Sequence, residues 1–153
     1  MIELAQALDP TLDPRCLRRW RQLAAAELAE LGLPRANAPA GWQRREEHLQ
    51  AAIAQEGCAV DPQTNLTYWL SWLFDDTDDD GSQRFLGATA NRDASWLEAS
   101  AVSPWIQGSW IYWRDSSGTW YSVYGYAVDG SDPPPFEDLA AVARSLDPDV
   151  DLP

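Results

Sequence analysis

The sequence predicts an α+β fold: an antiparallel sheet of about four strands, made of two hairpins, with two main N-terminal helices and a C-terminal helix. Three observations lead there. Residues 15–31 and 136–146 repeat apolar side chains at helical intervals. Residues 105–128 concentrate aromatic and β-branched types on either side of a Gly-containing turn. Residues 64–90 hold two further apolar runs separated by an acidic segment. A length of 153 residues and 45% hydrophobic content describe one domain with a real core. Its helical part spans residues 1–60 and its acidic, aromatic sheet part residues 61–153.

The elements follow in order. Ile2–Leu8 reads as a short helix ended by Asp9-Pro10. Asp13-Pro14 is a helix start, with Asp as N-cap and Pro at the first helical position. Leu17, Trp20, Ala24, Leu28 and Leu31 then form one stripe, and Gly32 and Pro34 close it. Arg15, Arg18, Arg19 and Arg21 decorate its first turns as a solvated face. A second helix is expected over Trp42–Glu56, with Trp42, Leu49, Ala52 and Ile53 inside and Gly57 as its stop. Thr64–Phe74 fits either period. The alternation of Leu66, Tyr68, Leu70, Trp72 and Phe74 and the matching run Gln83–Ala90 favour a strand and a hairpin. Asp93 caps an expected helix over Ala94–Ala101, which Ser103-Pro104 ends.

The second hairpin has strands Ser109–Trp113 and Thr119–Val128 around Arg114–Gly118. Strand alternation puts Trp120, Ser122, Tyr124, Tyr126 and Val128 on one face, and sets Trp110 and Tyr112 against Ile111 and Trp113. Both faces carry more rings than one core needs. Three consecutive prolines, Pro133 to Pro135, connect to a final helix over Phe136–Leu146, with Leu139, Val142, Ala143 and Leu146 inside. The acidic tail Asp147–Pro153 is expected to fray.

Charge narrows the function classes. The net charge is −13 and the pI about 4.2. Seven arginines face eight acids over residues 1–60, whereas four face sixteen over residues 61–153, so the second part holds nearly all of the excess. There is no lysine, which rules out a Schiff-base or P-loop lysine. Direct binding to nucleic acid or to an anionic membrane is disfavoured by sign. A basic protein partner fits it. Cys16 and Cys58 form no ligand cluster, and the N-terminus lacks a basic and apolar leader, so a cytoplasmic setting is the expectation.

Two stretches are candidate sites. Asp75, Asp76, Asp78, Asp79 and Asp80 put five carboxylates in six residues, a mutual repulsion that a cationic surface would relieve. Asp76, Asp78, Asp80 and Gly81 match the opening of a calcium loop, but its twelfth position is Gly87 where a bidentate Glu is required. Calcium is therefore the weaker reading, and no other cofactor is indicated. The second stretch is the aromatic hairpin, with Trp110, Tyr112, Trp113, Trp120, Tyr124 and Tyr126 as partner-binding rings. A homodimer is compatible with such a face. No enzyme motif is present, His48 stands without a catalytic companion in sequence, and the pair Glu46-Glu47 is a thin basis for glycosidase chemistry. The expected function is a non-enzymatic acidic binding protein that neutralises a basic partner, in the manner of immunity proteins, antitoxins, nucleic-acid mimics or secretion chaperones. A structural or regulatory subunit of a larger assembly and a divalent-cation or small-ligand binder are the alternatives.

Overall fold

The computed structural model describes residues 19–53, 67–76, 84–92, 102–128 and 132–153. In chain order these form β1 (Arg19–Gln22), α1 (Ala25–Leu31), β2 (Trp42–Ile53), β3 (Thr67–Asp76), β4 (Arg84–Arg92), β5 (Val102–Gln107), β6 (Trp110–Arg114), β7 (Trp120–Ala127) and α2 (Phe136–Leu146). The strands make one antiparallel sheet in the order β1-β2-β3-β4-β7-β6-β5. The described chain is therefore mostly β, with seven strands and two short helices. That corrects the expectation of about four strands with three main helices. The expected helices over Ile2–Leu8 and Ala94–Ala101, the cap at Asp13-Pro14, and Leu17, Cys16 and Cys58 lie outside the described residues.

The largest correction is β2, which the sequence dresses as a helix. Gln, Arg, Glu, Leu and Ala fill it, all good helix formers. Its strand alternation is hidden twice. A register shift between Arg44 and Glu46 changes the phase by one residue. Two of the positions facing the core, Arg44 and Glu47, are charged. Pairing on both sides, with β1 and with β3, outweighs propensity. Similarly, residues 19–22 pair with residues 50–53 as a strand, and the helix begins only at Ala25. There Glu27 reaches back to accept the Ala24 N–H at 3.0 Å and pairs with Arg21 at 2.7 Å. The two expected hairpins form, as β3–β4 and β6–β7, and lie side by side through β4 and β7. The C-terminal helix spans the expected residues.

One face of the sheet holds the core. Tyr68, Leu70, Trp72 and Phe74 of β3 meet Leu86, Ala88 and Ala90 of β4, then Tyr121 and Val123 of β7 and Ile111 and Trp113 of β6. Leu28 of α1 and Leu139, Val142, Ala143 and Leu146 of α2 cover them. Trp42 donates its indole N–H to Asp138 at 3.0 Å, which ties the start of β2 to the first turn of α2. Both described helices thus contribute to the same core, and the sheet's second face carries the other side chain of every pair. Among the described residues no helix is long and apolar enough to cross a membrane.

Candidate functional site

The second face is built by strand alternation. On β6 it receives Trp110, Tyr112 and Arg114; on β7 it receives Trp120, Ser122, Tyr124 and Tyr126. The neighbouring β4 adds Phe85, Gly87 and Thr89, opposite Tyr126, Tyr124 and Ser122. At the edge, β5 adds Trp105 opposite Tyr112. Farther across, β3 adds Trp69, which is 52% exposed.

The rings are stacked into a continuous ladder. Trp105 stacks on Tyr112 with centroids 5.7 Å apart, Tyr112 on Trp110 at 5.3 Å, and Trp110 on Tyr124 at 4.8 Å. Tyr124 continues to Tyr126 at 6.2 Å, and Tyr126 to Phe85 at 5.1 Å. Six rings thereby run across β5, β6, β7 and β4. Near-parallel stacking turns their edges, rather than their faces, toward whatever covers the sheet. Gly87 makes the central step fit: a Cβ there would lie 2.0 Å from the Tyr124 ring. The Tyr124 ring fills the place of the missing side chain, and its burial pushes the phenol's pKa up, with Tyr126 adding to the rise. Cations flank the rings. Arg45 lies 5.7 Å from the Phe85 centroid and Arg114 4.8 Å from that of Trp120. In the middle, the hydroxyls of Thr89 and Ser122 share a 2.6 Å hydrogen bond.

The predicted site residues separate on this geometry. Trp110, Tyr112, Trp120, Tyr124 and Tyr126 are brought together on the ladder face. Trp113 is not with them. It sits on the core face at 2% exposure, donates to Asp147 at 3.0 Å and stacks on Tyr121. Among the loop carboxylates, Asp75 is on the ladder face and pairs with Arg45 at 3.5 Å. Asp76 is on the other face, where Arg84 donates to it through Nε at 2.9 Å. Asp78, Asp79 and Asp80 lie outside the described residues. Asp76, one of the three carboxylates of the calcium reading, is thus bound to a guanidinium. No cluster of three metal-ligating side chains occurs among the described residues. Glu46 and Glu47 sit on opposite faces of β2 and do not converge on one bond, which removes the geometric basis for a glycosidase pair. His48 is exposed, 3.6 Å from Glu46.

Phe85, Trp105, Trp69, Arg45 and Arg114 were missed by sequence reasoning. A signal for Trp105 existed: Gln107-Gly108-Ser109-Trp110 is a two-residue turn with Gly first, and Gly108 has φ +57°. That turn places Trp105 in register with Tyr112. Phe85 had no such local signal, because only the pairing of β4 with β7 sets it beside Tyr126.

A second feature lies on the helix side. A cleft of about 460 Å³ is lined by Trp113, Asp115, Asp147, Asp149, Asp151 and Pro104, among others. Asp115 is occupied in organising the β6–β7 turn: it accepts from the N–H groups of Ser117 and Thr119 and from the Tyr121 hydroxyl at 2.8 Å.

Comparison of the chain with protein-family models, with curated proteins and with solved structures returned no match.

Proposed function

We propose that this protein is a non-enzymatic binding module whose aromatic sheet face docks a basic protein partner and neutralises it, in a cytoplasmic setting. The six-ring ladder is the observation that carries the reading. Large exposed rings gathered on the sheet face opposite the helices supply apolar area with polar edges, the composition of an interface core. Over residues 102–128 the only charged side chains are Arg114 and Asp115, so covering this region desolvates little charge. The net charge of −13 resides elsewhere and supplies long-range attraction for a cationic partner.

The two contributions act on different rate constants. The protein, immobilised, captures its basic partner from a lysate of its source cells, and the isolated partner is then used for kinetics. Raising salt lowers the association rate, because steering works through a screened field. Trp110→Ala and Tyr126→Ala raise the dissociation rate, by about 2 kcal/mol at a hot spot. A captured protein whose binding ignores both ring substitutions would reject the aromatic face as its dock.

A further inference from the structure

The two ends of the aromatic ladder differ. At the Phe85 end the ring is accompanied by the guanidinium of Arg45. At the other end Trp105 has one ring face against Tyr112 and is 62% exposed. Among the described residues no cation stands over it. Trp105 also belongs to an edge strand: β5 pairs with β6 on one side, and no described strand pairs with its other side. Pro104 supplies no N–H to such a pairing, and the peptide groups of Trp105 and Gln107 turn toward Tyr112 and Trp110 of β6, so the free edge offers the N–H and C=O of Ile106.

The residue before Trp105 looks the other way. Pro104 lines the cleft on the helix side, together with Trp113, four aspartates and one cation, Arg114, whose guanidinium lies 4.8 Å from the Trp120 centroid. Within that cleft Asp147 is engaged by the Trp113 indole and by the Asp149 N–H. Asp149 and Asp151 are exposed, and neither carboxylate takes a hydrogen bond from a described residue. Along one edge the protein therefore presents an open tryptophan face on one side of the sheet and unengaged carboxylates on the other.

We infer that β5 is the docking edge for an extended segment of the basic partner carrying two adjacent basic residues. Consecutive side chains of a strand point to opposite faces. One guanidinium lies over Trp105, matching what Arg45 does at the far end of the ladder. The next residue's cation enters the Asp149–Asp151 side of the cleft. Backbone hydrogen bonds to the N–H and C=O of Ile106 hold the segment in register. This inference rests on the reading of a basic partner and adds its local chemistry.

The test uses the full chain and a short fluorescein-labelled peptide of Ser and Val with a central Arg-Arg pair, followed by fluorescence anisotropy at low salt. A second peptide separates the two arginines by one residue, which sends both to one face. The adjacent-pair peptide binds more tightly. Trp105→Ala weakens it by about three- to fivefold, the range of an exposed cation–π contact, and Trp105→Phe by less. The double substitution Asp149→Asn/Asp151→Asn weakens it by a similar factor. Equal affinity for the two peptides overturns the inference, as does binding that Trp105→Ala leaves unchanged. Self-association of the peptide-free protein that Trp105→Ala abolishes also overturns it, because a second copy would then be the occupant. Should the peptide fail while the intact partner still binds through Trp110, the edge inference falls and the proposed function stands. Should the peptide bind as described while no partner depends on Trp110 or Tyr126, the edge stands and the docking face is wrong.

Discussion

Three buried tryptophans each donate an indole N–H to a carboxylate: Trp42 to Asp138, Trp72 to Glu47 and Trp113 to Asp147. A buried indole needs such an acceptor, so part of the acidity of this chain is structural. Glu47 shows the energetics. Burial opposes its ionisation, but hydrogen bonds from Arg35 and Trp72 and the nearby charges of Arg35 and Arg44 outweigh that, and its carboxyl titrates below the ordinary glutamate value. The folded pKa is thus lower than the unfolded one. The stabilisation is complete above the unfolded value and is lost as pH falls through the folded one. Glu47→Gln should cost about 1–2 kcal/mol at neutral pH. Melting curves of both proteins should converge in acid; a gap that stays constant down to full carboxylate protonation would contradict this assignment. Gly87 offers a second check. Gly87→Ala drives a methyl into the Tyr124 ring and should destabilise by about 1–3 kcal/mol through overpacking. In the Tyr124→Ala background the same change should cost clearly less, since the two sites share one space.

Among the elements, β2 and β5 separate local from long-range information. Residues 42–53 have helical composition, and only pairing with β1 and β3 makes them a strand. His48 is an exposed position on β2, which allows a signed prediction. His48→Val should leave stability unchanged or raise it by up to about 1 kcal/mol, whereas in a helix the β-branched residue would gain nothing. Chemical denaturation of the two proteins decides it, and a clear loss would speak against the strand. The opposite case is α2. Its helical period and its proline-bounded start were legible and hold in the structure, because amphipathic spacing is written in consecutive residues. For β5 the turn signal at Gly108-Ser109 was present. It was obscured by the expectation that Ser103-Pro104 ends a helix, although an edge strand tolerates that proline.

Across the molecule, 24 acids against 11 arginines and no lysine create self-repulsion that folding must overcome. Added salt should therefore raise the melting temperature, by a few degrees between low and moderate ionic strength, while it slows partner association. A melting temperature that falls with salt would show that the ion pairs, such as Arg35–Glu47 and Arg84–Asp76, outweigh the repulsion. The same topology sets the rings. Antiparallel order brings β5, β6, β7 and β4 side by side, and alternation then lines up one ring row on the face away from α2.

Some of this was decided by the order of residues alone. Within each strand, alternation grouped Trp120, Tyr124 and Tyr126 and set Trp110 and Tyr112 against Ile111 and Trp113, because a strand's period of two is a local property; which group of one strand joins which of the other came from the register of β6 on β7. Composition established the charge and its concentration after residue 60. The number of strands, their neighbours and the choice of buried face came from tertiary contacts. Trp113 and Trp110 sit three residues apart with the same chemistry, yet one is sealed against Asp147 and α2 and the other is exposed. Nothing near them in the chain ranks the two faces, since both carry rings. The helix that covers one face arrives from residues 136–146, and the core it completes is formed by residues far apart in sequence.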